Sequence, residues 1–155
     1  MLIELLAAGT RPPDWTKTGY LEYQKRLPRD WQLQLREIPV AHRGKNESVV
    51  KLKNEEGKRM LALLKPEAHV IALDSRGDGW STQDLASNIQ KWTSRTSHLQ
   101  LIVGGPDGLS DACLARADDC WSLSKLTFPH FLVRVLLAEQ LYRAWAVINN
   151  HPYHK

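Results

Sequence analysis

The sequence predicts an α/β fold, a mainly parallel sheet with helices on both faces. Two observations lead to it. Short apolar runs alternate with longer amphipathic segments in the order βαβαβαβαβα, the pattern left by successive crossover connections. Two of those runs, His69–Leu73 and Leu99–Val103, read as continuous apolar strands, which is how a strand looks when helices cover both of its faces. The length of 155 residues suits a single domain, 1–155, able to bury about 70% of its unfolded surface without staples.

Each element has its own signal. Leu2–Ala8 is a strand ending at Gly9-Thr10; the acid at Glu4 and the lack of a basic leader separate it from a signal peptide. Asp14–Leu27 follows Pro12-Pro13 and reads as a helix with Trp15, Tyr20, Tyr23 and Leu27 as its apolar members. Trp31–Ile38 alternates, with Leu33 and Leu35 on one face and Gln32, Gln34 and Arg36 on the other, as in a half-buried or edge strand. A polar basic loop around Arg43, Gly44 and Lys45 leads to a helix over Glu47–Leu64. Val50, Met60, Leu61 and Leu64 are expected inward, and Gly57 is a weak point. After the strand His69–Leu73, Asp74–Trp80 reads as a turn-rich loop. Ser81–Ser94 is a capped amphipathic helix, with Ser81 or Thr82 as the cap and Leu85, Ile89 and Trp92 on one face. Ser110 caps a short helix to about Asp118. Trp121–Ser124 is a short strand or an extended turn. Phe131–Ile148 is the longest helix, closed by Asn149-Asn150.

Composition excludes several classes. Apolar residues are 43% and charged residues 25%, average for a globular protein and unlike disorder, collagen or coiled coil. No apolar stretch reaches the roughly 20 residues of a membrane span, so a soluble, cytoplasmic protein is expected. The net charge is +4, and residues 1–60 carry all of it, with 12 Lys/Arg against 8 Asp/Glu. That excess suits either a solvated helix face or a surface facing phosphates. Cys113 and Cys120 lack metal-ligand spacing and read as small core fillers. No metal cluster and no Ser-His-Asp elbow is present in the pattern.

Ligands of such sheets sit at the carboxyl ends of the strands. Here those ends are Ala8–Thr10, Leu73–Ser75, Val103–Gly108 and Ser122–Thr127. The turn Gly104-Gly105-Pro106-Asp107-Gly108 allows close backbone approach to a ligand, although it is neither GxGxxG nor a P-loop and serves equally as a plain turn. A nucleotide-binding oxidoreductase is disfavoured because this turn comes so late in the chain. Ser122–His130 is too polar for core and too apolar for an ordinary surface loop. Its backbone groups need partners, from a ligand such as an adenine ring or from the last helix. Glu139 and Arg143 are spaced to form an ion pair on one helix face. The tail His151-Pro152-Tyr153-His154 is either a frayed end or a stacking element stiffened by proline. His69 and His98 border strands and read as structural.

Taken together, Ala8-Gly9-Thr10, Pro13-Asp14-Trp15, Arg43-Gly44-Lys45-Asn46, Gly104 to Ser110, Trp121 to Ser124, Pro129-His130, Leu132-Val133-Arg134-Val135, Glu139 to Trp145 and Asn150 to His154 resemble the RlmH (YbeA) family from end to end. The family comprises SPOUT-type pseudouridine N3-methyltransferases of 23S rRNA. The resemblance implies an alpha/beta knot fold whose C-terminal part threads a trefoil knot. It implies S-adenosyl-L-methionine held by Leu73, Gly104, Gly105 and the stretch Leu123, Ser124, Lys125, Leu126, Thr127 and Phe128. Lys125 stands where the family often has a small residue. A homodimer acting on the assembled ribosome, with no separate RNA-binding domain and no metal, is implied as well.

Methyl transfer to a ring nitrogen then needs a group to take the N3 proton and a group to hold developing negative charge. His154 or Glu139 is expected in the first role, Arg143 in the second, Tyr153 as a stacking or hydrogen-bonding partner, and His130 as a further candidate. Arg11, Arg43 and Lys45 are expected to touch rRNA phosphates. The rival readings are another SPOUT RNA methyltransferase acting on tRNA and a non-enzymatic ribosome-binding factor.

Overall fold

The computed structural model describes residues 1–155. In chain order the elements are β1 (Leu2–Ala8), α1 (Asp14–Gln24), β2 (Gln32–Ile38), α2 (Val49–Leu61), β3 (His69–Gly79), α3 (Thr82–Thr93), β4 (His98–Val103), α4 (Asp111–Arg116), β5 (Asp119–Ser122) and α5 (His130–Ile148), followed by one 3-10 turn, Pro152–His154. The strands form one sheet in the order β2-β1-β4-β3-β5. Every neighbouring pair is parallel. No helix is long and apolar enough to cross a membrane.

Period-two alternation splits the sheet between two cores. Ile3, Leu5 and Ala7 of β1, Ile71 of β3, and Leu99, Leu101 and Val103 of β4 face the larger core. There they meet Tyr20 of α1, Leu85, Ile89 and Trp92 of α3, and Leu137, Leu141 and Tyr142 of α5. The residues between them, Leu6, Val70, Ala72 and Ile102, face the smaller core with Met60 and Cys113. Burying these side chains contributes about 1.5–3 kcal/mol for each large aliphatic. Glu4 falls on the smaller-core face, where Oε2 accepts from Gln100 Nε2 at 2.8 Å and lies 2.7 Å from His98 Nε2. The expected acid inside an apolar run is thus a buried cross-strand polar cluster.

Three local expectations change. Residues 74–79 are not a loop but a continuation of β3, which resumes pairing with β5 through Asp78 and Gly79 after a register shift. Gly77 permits that return, since a Cβ there would lie 2.6 Å from the backbone of Cys120. Val50 points outward, 66% exposed, while Leu52, two positions on, takes the inward face of the first turn of α2. Gly57 is a close-approach point rather than a weakness: a Cβ would come 2.2 Å from Ser110 Oγ, the side chain that caps α4.

The helix ends follow from named caps. Ser81 and Asp84 form a reciprocal capping box at the start of α3. Asn150 takes φ +53 just past α5, and the next two amides turn back, Asn150 N–H to Val147 O at 3.3 Å and His151 N–H to Ala146 O at 2.8 Å. This Schellman closure folds the tail onto the helix it has just left.

Candidate functional site

The carboxyl ends of β3, β4 and β5 open into one cavity of about 700 Å³. Leu73 to Ser75, Val103 to Gly108 without Asp107, and Trp121 to Thr127 without Lys125 line it, and Phe128, Pro129, His130 and Val133 close it. Of the residues expected at a cofactor, Leu73, Gly104, Gly105, Leu123, Ser124, Leu126, Thr127 and Phe128 share this wall, while Lys125 is exposed and does not line it. The first strand end does not join them. Gly9, at φ +107, packs instead beneath His130 and Phe131.

Backbone geometry shapes the wall. The glycine turn closes through Gly108 N–H to Gly105 O at 3.0 Å, with Gly108 at φ +82. A Cβ on Gly104 would sit 2.3 Å from the Gly108 carbonyl carbon, so the turn can close only with glycine there. Opposite, Ser124 Oγ accepts from Leu126 N–H at 3.0 Å, and Ser122 Oγ donates to the Ser124 carbonyl at 3.1 Å. The serines thus fold the 122–128 segment around the cavity, which explains a stretch too polar for core.

Asp74 is the only carboxylate on the lining, and no Lys or Arg lines it. Two bonds from Arg76 hold the Asp74 carboxyl below its usual range despite the opposing effect of burial, so it is ionised at neutral pH. His130 sits on the rim with its pKa lowered, first by burial and then by Arg134 and Arg43. A neutral imidazole can accept a proton.

Arg134 is a residue that sequence reading left without a role. It is 2% exposed. Its Nη1 donates to Glu37 at 2.8 Å, and its Nη2 donates to the carbonyls of Ala8 and Gly9 at 3.0 and 2.6 Å. It therefore fixes the end of β1 to the first turns of α5, behind His130. An arginine among valines and leucines was the available signal.

A second cluster lies at the other end of α5. Arg143 Nε donates to Glu139 Oε1 at 2.9 Å, Tyr153 Oη donates to the same oxygen at 3.1 Å, and Gln140 donates to Oε2 at 2.7 Å. The guanidinium stacks 4.9 Å from the Tyr153 ring centre. Burial, then Tyr23 and Glu139, raise the Tyr153 pKa, so the phenol keeps its proton. His154 folds back to hydrogen-bond the His151 carbonyl. Thirteen residues of helix separate Arg143 from His130, about 20 Å of rise, so one chain does not bring this cluster to its own cavity. Arg11 and Lys45 are exposed, whereas Arg43 is ion-paired to Asp107 and Glu56. No group of three or more His, Cys, Asp or Glu is placed to hold a metal ion.

Comparison with known proteins places these features. The family described as "Predicted SPOUT methyltransferase" matches residues 1–154. A protein of Hahella chejuensis named "Ribosomal RNA large subunit methyltransferase H" is 54% identical over 155 residues, covering 100% of this chain and 99% of that one. A protein of Methylococcus capsulatus with the same name is 50% identical, with both chains fully covered. Two solved structures share the fold at low identity. A probable methylase family protein of Haemophilus influenzae has a TM-score of 0.54 at 13% identity, over 99% of this chain and 70% of that one. A putative methylase family protein of Neisseria gonorrhoeae has a TM-score of 0.52 at 11% identity, over 90% and 81%.

Proposed function

Because the chain belongs to the RlmH family of SPOUT methyltransferases, we propose that it methylates large-subunit ribosomal RNA with S-adenosylmethionine held in the β3–β4–β5 cavity. More finely, the acceptor is N3 of a pseudouridine in 23S rRNA of the assembled ribosome, in the cytoplasm. Residues 1–155 act as one catalytic domain, with the family's trefoil knot in its C-terminal part, and two copies work as a homodimer.

The carrying observation is the cavity itself: it opens at the carboxyl ends of β3, β4 and β5 and is lined by eight of the nine residues expected at the cofactor, with Asp74, held ionised by Arg76, as its one carboxylate. Gly104 and Gly105 let the backbone approach, and Leu123 to Phe128, apart from Lys125, wrap the opposite side. When bound, the cofactor supplies an electrophilic methyl group.

The chain's residues supply the rest. The N3 proton leaves as the nitrogen takes the methyl group, so a base is needed. His130 lines the cavity and is held neutral, which favours it over Glu139, whose two oxygens already serve Arg143, Tyr153 and Gln140. Glu139 instead orients the guanidinium and the phenol. Arg143 then stabilises the anionic base or a flanking phosphate, and Tyr153, still protonated, donates or stacks. The span between this cluster and its own cavity supports delivery by the tail of the second subunit. His154 arrives with that tail and is the alternative base. Arg11 and Lys45 are free to meet phosphates.

The test pairs calorimetry with mass spectrometry. Titration with S-adenosylmethionine should give uptake, and ribosomes from a strain lacking this gene should gain one methyl on a 23S pseudouridine when mixed with protein and cofactor. No uptake leaves a ribosome-binding factor, and a methyl appearing only on tRNA redirects the substrate. Under saturating cofactor, His130→Ala should remove the acidic limb of turnover, the loss of activity as the base becomes protonated; if His154→Ala does so instead, the base comes from the tail.

A further inference from the structure

The glycine turn that forms one wall of the cavity is gripped from behind by residues outside it. Asp107, the one member of Val103–Gly108 off the lining, faces away and ion-pairs with Arg43 Nη1. The other arm of Arg43, Nη2, lies 3.5 Å from Glu56 Oε1. That oxygen also accepts from the Ala41 N–H at 3.1 Å, and Glu56 is 4% exposed on α2. Its second oxygen has no partner, and a Cβ on Gly105 would stand 3.1 Å from it. The Val40 side chain would be 3.5 Å from the same Cβ. Arg59 of α2 ties down the start of this loop, donating to the Pro39 carbonyl at 2.7 Å. The loop between β2 and α2 is therefore fastened to α2 on one side and to the cavity turn on the other, with Arg43 as the common member.

Swinging Arg43 out to a phosphate would abandon two carboxylates, one of them buried, and a buried carboxylate without its partner is costly; a phosphate could be met in place only by the donors left on its exposed edge. We propose that Arg43 is a positioning residue: with Glu56 behind it, it clamps Asp107 and holds the Gly104–Gly108 turn in the shape that receives the cofactor. This rests on the reading of the cavity as the S-adenosylmethionine site. The clamp acts through the turn and touches neither cofactor nor acceptor. Its charge also reaches the rim, being the third influence that keeps His130 neutral.

Phosphate binding and clamping predict opposite readouts. The cofactor dissociation constant and the salt dependence of ribosome binding are measured for the unaltered chain, Arg43→Ala, Asp107→Asn, the double variant, and Arg43→Lys, which keeps a cation facing both carboxylates. A clamp predicts that Arg43→Ala and Asp107→Asn each weaken S-adenosylmethionine about tenfold, that the double change is no worse than the worse single, and that Arg43→Lys retains part of what Arg43→Ala loses. The slope of ribosome affinity against salt should stay the same. An unchanged cofactor constant with a slope shallower by about one for Arg43→Ala would make Arg43 a phosphate contact and overturn the proposal. Losses that add in the double variant would overturn it too, because residues acting as one pair are not additive. If the unaltered chain takes up no S-adenosylmethionine, the cofactor reading itself fails, an outcome distinct from all of these.

Discussion

Arg143 carries two duties that one substitution can separate. Its Nε is spent on Glu139 and its face on the Tyr153 ring, so what it offers a substrate is its outer edge. Arg143→Ala should lower methyl transfer by about 100-fold or more, the scale of losing one preorganised charge at a reacting centre, while calorimetry finds cofactor affinity unchanged because no Arg lines the cavity. Glu4 carries a second prediction. Its carboxyl is held below its ordinary value of 4.5 although burial pushes it the other way, because Gln100, His98 and Arg36 favour the ionised form. A depressed native value stabilises the fold above the unfolded value and loses that contribution as pH falls through the native one. Acid titrations of unfolding should therefore show stability declining below about pH 4.5, less steeply in Glu4→Gln. At this scale the sequence was a partial guide. Glycines and hydroxyls at strand ends marked the cavity before any coordinates, because those types serve a backbone-lined site. Arg134 and Glu56 were opaque, since their partners lie up to 126 positions away along the chain. Arg43 read as a free cation for the same reason.

Elements set how far each local signal can be trusted. The Ser81 cap of α3 was visible because a capping box is written within four residues, and Ser81→Ala should cost about 1 kcal/mol in chemical unfolding. Gly57 was misjudged because its meaning lies in α2 meeting the cap of α4, not in α2. Gly57→Ala, which intrinsic helix propensity alone would favour, should instead destabilise by about 1–3 kcal/mol, the range for overpacking. The extension of β3 was missed because Asp74–Gly79 has the composition of a loop, while a neighbouring strand supplied its pairing. The tail behaves as a separate element. Removing Pro152–Lys155 deletes Tyr153 and His154 but leaves α5 closed by Asn150 and His151. Turnover should collapse while the melting temperature holds, and unchanged turnover would take the tail out of the site.

The whole molecule puts its two chemical clusters at opposite ends of α5. If they work together only across a dimer, two crippled proteins can repair one another. Gly104→Ala forces the cavity turn open and should abolish cofactor uptake, and Arg143→Ala disables the tail cluster. Each alone should be inactive. Mixed in equal amounts and allowed to exchange subunits, they should regain about a quarter of the unaltered activity, because half of the dimers are mixed and each mixed pair holds one sound cavity facing one sound tail, one working site of two. Mixing without recovery would place both clusters in the service of a single chain. The fold class itself was legible from strand-helix alternation, since parallel pairing demands a crossover after every strand. The strand order was not, because an apolar run buried on both faces records that it has neighbours but not which ones.

That order also governs how the chain comes to be folded. β1 is made well before β4, one of its two sheet partners, with Glu4 set against Gln100. Until β4 has left the ribosome, one edge of β1 stays without its strand, and β1 with β2 forms only a two-stranded ribbon of the kind that is marginal alone. Pairings this remote slow folding through the loop entropy they must overcome. A protein proposed to finish the ribosome's own RNA is thus unable to close its sheet while the stretch between β1 and β4 is being made, and the nascent chain depends on not meeting another exposed edge before β4 arrives.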